Sequence, residues 1–508
     1  MRSALCKNQN GIVSIDASYK YSSPFREYIP KFSKPHRLFA IAFLLVLLAE
    51  TVSYSMVGIV FSYFQAALIL FQIVRGKLFQ ALLIHLLFVL TSLEWPADLA
   101  LRPEIYTYRT VSVFGVSLST IVLSFLFLVV AFKRGIHFKL TREQMSFLLV
   151  FFLATLTGFF GIVFSDYGLS YFIADLQYWT VLIMSAGLGF AFFSTNRSGL
   201  STFKNVLLFV LCSRSLVSFF GSLFGFQKGV YGGISTFTYD AIDLLIPLVI
   251  FALFDDDYGV RYKLFIGFCW TAGILNMLLF AASGKGLLLF VVVVVVLMVK
   301  ALSRKTSIMT KSIAVVLMVC GVVFLIIAVP VSLSNNLLFS IKFEQSVSLL
   351  SMSWIKNPYK LPSSPRDRVL EFYNTAAYYA KHPLFIIAGR GFGGYFEDDA
   401  FYNYTASDRG GYSTEEVKTR KFVNPHESLN VIFLKFGLFG ILVWFFFLGK
   451  FLGFRKHKCR KSLFLKVSGF VTVFLLLGFS LKIALIIGFC IASIMVGDEV
   501  SNVQDALC

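Results

Sequence analysis

Charged residues are scarce in this sequence. Only 14% of its 508 residues are Asp, Glu, Lys or Arg, against about a quarter in soluble domains. Acids are scarcer than bases, with 27 Asp and Glu against 46 Lys and Arg and a net charge of +19. Such a balance could serve nucleic acid, but the bases sit mainly in short connectors between apolar runs, where they set chain orientation in a bilayer. No nucleic-acid partner is expected. The seven cysteines (Cys6, Cys212, Cys269, Cys320, Cys459, Cys490 and Cys508) form no CxxC pair, and none lies in the long polar stretch. Neither a zinc site nor a disulfide framework is indicated. The first 37 residues are polar and basic, without the short apolar core and small-residue cleavage site of a secretory signal, so the first apolar span is expected to remain as an anchor. No internal repeat is evident.

What the chain has in abundance is apolar length. It is 57% hydrophobic, with 59 Phe and a mean hydropathy of +0.78. A bilayer core takes about 17 to 25 apolar residues per helix, which reads as spans near 38–60, 61–74, 78–93, 111–132, 146–164, 169–193, 205–225, 235–254, 264–282, 286–299, 312–333, 428–453, 462–479 and 482–496. The expected fold is an all-α polytopic membrane protein of about 12 to 14 transmembrane helices, with one large extracytoplasmic loop containing short helices. The basic connectors "KFSKPHR" (31–37), "FKRGIHFKLTR" (132–142), "KALSRKTSIMTK" (300–311) and "FRKHKCRK" (454–461) all fall on one side of such an arrangement, the cytoplasmic side by charge bias. The chain then divides into a cytoplasmic amino-terminal segment (1–37), transmembrane helices (38–333), an extracytoplasmic loop (334–425), carboxy-terminal transmembrane helices (426–496) and a cytoplasmic tail (497–508).

The loop carries 11 Lys and Arg and 9 Asp and Glu, too even a mixture for a cytoplasmic tether. Ser364-Pro365-Arg366-Asp367 predicts a helix start, with a capping Ser, Pro at the first helical position and an acid behind it. The helix should run from about 365 to 380 and stop before Pro383. Arg366 shares a face with Leu370, Tyr373 and Ala377, and Arg368 shares one with Glu371, Thr375 and Tyr379. Only one of the two arginines can readily face a buried ligand, and the other is expected to pair with Glu371 or with water. The glycine-rich "AGRGFGG" (388–394) follows no strand in a dinucleotide context and reads as a tight turn, not a nucleotide loop.

The loop ends at "NPHESLN" (424–430), where a histidine stands at the mouth of an apolar helix. If that helix is continuous, Gly437 lies eleven residues on and within about 20° of the His426 face, while Lys435 points away. Gly437 and Gly440 would then let another helix or a lipid chain approach the backbone. Lys285, in "SGKGLLLF", stands at the outer end of its span, where a lysine either snorkels to head groups or meets a ligand. Basic groups beside a histidine on one side of the membrane suit a phosphate-bearing lipid. Glu50, Asp175, Arg214, Asp240 and Asp243 lie within apolar spans, each a functional residue or one half of an interhelical pair.

These residues resemble the O-antigen ligase and polymerase superfamily of bacterial envelope-glycan assembly. "HESLNVIFLKFGLFG" carries a His-x10-Gly pattern from His426 to Gly437, Arg366 to Leu370 matches Arg-x3-Leu, and "AKHPLFIIAGRGFGGYF" (380–396) is similar to a His-Pro-Leu and glycine stretch of that family. The chain departs from the pattern at Glu427, where Asn or Ser is common, at Lys435, where an acid is common, and at Lys285, which replaces an arginine. The resemblance implies a metal-independent inverting glycosyltransferase without cofactors. It would move a glycan from an undecaprenyl-pyrophosphate donor to a hydroxyl of lipid A core or of another glycan, at the outer face of the bacterial inner membrane. His426 would be the base, and Arg366, Arg368, Arg390 and Lys285 would bind the pyrophosphate. Membrane lipids and envelope glycan assembly proteins would be partners. A polymerase of the same superfamily is the near alternative, and a lipid-linked glycan flippase or transporter the distant one.

Overall fold

Backbone polar groups in a bilayer must find partners within protein, and a helix supplies them residue by residue. The computed structural model of this chain is built accordingly. The residues it describes are 34–53, 55–93, 106–134, 142–164, 168–195, 197–224, 229–231, 234–236, 241–255, 257–279, 284–302, 315, 319, 337–350, 353–404, 412, 414–452, 462–476 and 480–507. Among them, strand is limited to three antiparallel pairs of two or three residues each. The protein is an all-α polytopic membrane protein. Pro35–Val52, Val57–Val74, Leu169–Ser194, Gly199–Leu223 and Ser428–Gly449 are each long and apolar enough to cross a membrane, and Leu78–Thr91, Leu118–Lys133, Gln144–Phe159, Ala241–Phe254, Leu463–Leu476 and Leu481–Val496 are shorter apolar helices.

The composition of individual helices shows how they face their surroundings. Along Leu118–Arg134, Val122, Leu123, Leu126 and Val130 are buried, whereas Ile121, Phe125, Leu128 and Phe132 are exposed. These exposed side chains recur every three or four residues, a lipid-facing stripe on a helix that is apolar all round. Leu169–Thr195 is more enclosed and packs along Leu481–Leu507.

Sequence-based boundaries shift in three places. The first two spans turn at Ser53–Met56 and not near residue 60. The span expected at 235–254 begins at Ala241 and is wound in the tighter 3₁₀ pattern around Pro247. Proline supplies no N–H and crowds the preceding turn, and the indole Nε1 of Trp270 donates to its carbonyl at 3.0 Å. The last helix runs on to Leu507, through the segment expected to be a tail. Most of the span expected at 312–333 lies outside the described residues.

Polar contacts tie the helices together at their ends. At one end the Tyr106 amide donates to the Ser53 carbonyl and the Ser117 amide to Gln177. At the other end Lys204 pairs with Asp255 and Asp257, and Ser462 Oγ donates to Asp255 at 2.8 Å. Most of the intramembrane charges are paired. Arg214 is fully buried and donates through Nε and Nη2 to Asp243 at 2.9 and 2.7 Å, with Glu50 at 3.5 Å from Nη1. Asp175 pairs with Lys435 at 2.7 Å. Asp240 lies outside the described residues.

Candidate active site

The loop helix runs Ser363–Lys381, two residues earlier than its sequence signals suggested, with Pro362 in the capping position. Ser364 is therefore inside the first turn and caps nothing. Pro365 is tolerated there because the first-turn amides have no intrahelical partner to lose. The buried face carries Leu370, Glu371, Asn374, Thr375 and Tyr379, largely the face predicted to hold Arg368. The Tyr379 hydroxyl reaches the carbonyls of Phe433 and Leu434, both at 2.8 Å, and so fixes the loop helix against the membrane helix that follows the loop.

That membrane helix, Ser428–Leu452, is not continuous: Gly437 has φ 58° and ψ −150°. A break here withdraws amides from carbonyls of the preceding turn, and the glycine-rich loop supplies replacements. The amides of Arg390 and Gly391 donate to the carbonyls of Leu434 and Lys435 at 2.8 and 2.9 Å. This fit needs glycine in two ways. Gly389 and Gly391 have φ of 70° and 74°, a region costly for other residues. A Cβ on Gly391 would lie 2.2 Å from the Gly161 amide nitrogen. Phe392 is fully buried beyond the turn and meets Phe159, Phe172 and Phe436, and its amide donates to the Gly158 carbonyl at 2.7 Å. The tight turn predicted for this stretch is thus a plug set into the membrane domain. Lys435 latches it, donating to the Gly394 carbonyl at 2.7 Å while paired with Asp175, which also accepts from the Gly393 amide at 2.7 Å.

Gly437 does admit a backbone, but it is the loop's own: a Cβ there would stand 2.5 Å from the Ile386 carbonyl oxygen. The expected shared face of His426 and Gly437 does not form, because His426 precedes the helix and the helix bends at the glycine. Gly440 lies below the bend, against Phe436 and Ile432. It lines an apolar cavity with Phe151, Trp179, Leu182, Trp444 and Ile487.

His426 is half-buried at the top of this assembly, its side chain 22% exposed. Its amide donates to Glu371 Oε2 at 2.9 Å, and its Nδ1 makes a short contact with Glu371 Oε1. Glu371 is fully buried and is a focus for donors. It also receives the hydroxyls of Tyr404 and Tyr412 at 3.0 and 2.7 Å and the Asn430 amide at 3.2 Å. The ring of Tyr412 lies edge-on to the imidazole, with centroids 4.9 Å apart. Burial pushes the Glu371 carboxyl up, but the charge and hydrogen bonds of His426 and the Tyr412 hydroxyl prevail and hold it down at about 2. Burial also works against a charged imidazole, yet the Glu371 carboxylate outweighs it, and Arg368 only partly opposes the result: His426 is raised above 6.5. With Nδ1 bound to a carboxylate, the neutral ring carries its proton on Nδ1 and presents a lone pair at Nε2. Among the described residues, no hydrogen bond to Nε2 is formed.

The arginines differ in disposition. Arg368 neighbours the histidine, donating from Nε to Glu427 at 2.5 Å and from Nη1 to the hydroxyl of Ser364 at 2.5 Å and to its carbonyl. Its side chain is 29% exposed. Arg366 is half-buried on the same helix. Arg390 is 4% exposed, sandwiched between the rings of Tyr378 and Tyr395 at 4.2 and 3.8 Å, and donates to the Tyr395 carbonyl at 2.8 Å. It braces the plug. Lys285 is the second residue of the helix Gly284–Leu302, and its side chain lies outside the described residues.

Sequence reasoning missed the principal partner of the histidine. Glu371 enters the sequence reading only as one option, beside water, for whichever of Arg366 and Arg368 does not face a ligand, and Arg368 pairs with Glu427. Tyr404, Tyr412 and Asn430 were not singled out at all. An acid on the face of the loop helix shared with Thr375 and Tyr379 was the available signal. Its burial, and hence its need for donors, was not visible in the sequence.

No curated protein and no solved structure matches this chain. The family model described as O-antigen ligase matches residues 269–445, a stretch that contains Glu371, His426, the three arginines and the kinked helix as far as Phe445. Over that stretch, about a third of the chain, the protein is similar to the O-antigen ligase family, and the apolar helices that make it a multi-pass membrane protein lie mostly outside it.

Proposed function

We propose that the protein is a membrane-embedded glycosyltransferase of the O-antigen ligase type. Its donor would be a glycan on undecaprenyl pyrophosphate, used at the outer face of the bacterial inner membrane, with both termini in the cytoplasm. The acceptor would be a sugar hydroxyl of lipid A core or of another glycan. The observation that carries this reading is the pairing of His426 with buried Glu371, beside Arg368, at the junction of loop and membrane helix.

In this reading Nε2 of His426 takes the proton of the acceptor hydroxyl as its oxygen attacks the anomeric carbon. The new C–O bond forms as the bond to the diphosphate breaks on the opposite face, which inverts the configuration. The imidazolium that results is stabilised by Glu371, which stays ionised because it is held near 2. The diphosphate leaves as an anion. Arg368 would donate charge-assisted hydrogen bonds to it, with Arg366 and Lys285 as further cations and Arg390 supporting the loop. Such a mechanism calls for no metal.

Reconstituted protein supplied with undecaprenyl-pyrophosphate glycan and two acceptors, lipid A core and lipid-linked glycan, tests the reading. A single addition identifies a ligase and a ladder a polymerase. His426→Ala should abolish either product while donor binding persists. Undiminished transfer by this variant would refute the assignment, and lipid movement without transfer would indicate a flippase.

A further inference from the structure

Arg368 is already held on two sides in the resting protein. A guanidinium grips a phosphate two-pronged along one of two edges, Nε with Nη2 or Nη1 with Nη2. Glu427 takes Nε and Ser364 takes Nη1, so each edge has one prong occupied. A diphosphate approaching this arginine meets Nη2 alone until one acceptor lets go.

The two acceptors are not equivalent. Ser364 is neutral and lies one turn back on the same helix. Glu427 is anionic and adjacent in sequence to His426, where its charge opposes that of an arriving diphosphate. Its bond to Arg368 is also exchangeable. The side chains are 29% and 24% exposed, so water reaches either partner on release and reduces the penalty of stranding a charge. Glu371 and Asp367 lie within electrostatic range of the same guanidinium, so the cation keeps anionic neighbours when Glu427 leaves.

We propose that Glu427 is an internal competitor for the diphosphate site: its carboxylate holds Arg368 in the resting protein and yields the guanidinium to the donor's leaving group. The inference rests on Arg368 binding the leaving group, as above. It makes donor affinity depend on residue 427, where an uncharged side chain would free the Nε–Nη2 edge of the arginine while Ser364 still held Nη1.

The test uses full-length protein in detergent and inorganic pyrophosphate as the probe, with binding measured by calorimetry for wild type, Glu427→Gln, Arg368→Gln and the double variant. Removing the carboxylate should tighten pyrophosphate binding by about two- to fivefold, the range open to a part-exposed ion pair. Arg368→Gln should weaken it, and the double variant should bind no tighter than Arg368→Gln alone. Unchanged or weaker binding by Glu427→Gln overturns the inference, as does tightening that persists without Arg368. Glu427→Asn should act in the same direction and serves where the glutamine variant does not accumulate. Glycan transfer by His426→Ala decides the catalytic reading separately, so failure of one is distinguishable from failure of the other.

Discussion

Replacing Glu371 by Gln is the most searching perturbation of this site. The amide preserves size but keeps one acceptor where the carboxylate offers two, and it directs N–H groups at donors. Tyr404, Tyr412, Asn430, the His426 amide and Nδ1 all converge on those two oxygens. To satisfy the new amide, the imidazole must shift its proton to Nε2, which removes the lone pair the acceptor hydroxyl needs. A carboxylate-to-amide exchange behind a catalytic imidazole costs about 10⁴ in rate in the serine-protease triad, and general-base catalysis overall contributes about 10² to 10⁴. A loss of about 10³-fold or more is therefore expected in initial rates of glycan transfer by reconstituted protein.

The pH profile makes the test specific. His426 acts as a base only when neutral, and Glu371 raises it above 6.5. Wild-type activity should rise with pH through an acidic limb lying above 6.5, and that limb should move down in Glu371→Gln, since burial is left unopposed. Stability responds with the opposite dependence for the two partners. Glu371, lowered from 4.5 to about 2, contributes stability that is present above 4.5 and lost as pH falls through 2. His426, being raised, contributes below 6.5 and loses its contribution as pH rises through its folded value. A Glu371→Gln protein that keeps the wild-type acidic limb, or retains near-wild-type turnover, would refute the coupling of this pair to catalysis.

Tyr412→Phe removes one of the donors to buried Glu371 and should cost about 1–2 kcal/mol in stability. Its transfer rate should fall far less than that of Glu371→Gln, because the remaining donors still hold the carboxylate. Lys435→Met strands Asp175 and the Gly394 carbonyl beneath the plug and should cost about 3–5 kcal/mol, read as a lower melting midpoint in detergent and faster proteolysis near residues 389–394. Adding Asp175→Asn should recover part of that loss. No recovery would mean that the pair does not act as the latch.

How far the site was legible depended on whether the relevant geometry is local. A helix near 365–380, a tight turn in "AGRGFGG" and a histidine at the mouth of a membrane helix follow from spacing, proline and glycine chemistry within a few residues. The partition of charges does not. Arg368 and Glu427 are 59 residues apart and Lys435 and Asp175 are 260 apart. Nothing local indicates that the Glu371 carboxylate is buried or that two loop tyrosines donate to it. The face calculated for Gly437 failed because it assumed an unbroken helix, and the break is stabilised by amides of the glycine-rich loop.

The sequence by itself determined that this is an oily, many-helix membrane protein with one mixed-charge loop and a histidine where that loop rejoins the bilayer. These follow from composition, run length and connector charge, each an additive property of neighbouring residues. Only the tertiary structure decided that His426 answers to Glu371, that Arg390 is a brace while Arg368 stands beside the histidine, and that Gly437 receives the protein's own backbone. Those outcomes depend on which distant groups share a dehydrated volume, where each buried donor and acceptor must find a partner, and that pairing is settled only when the whole chain has packed.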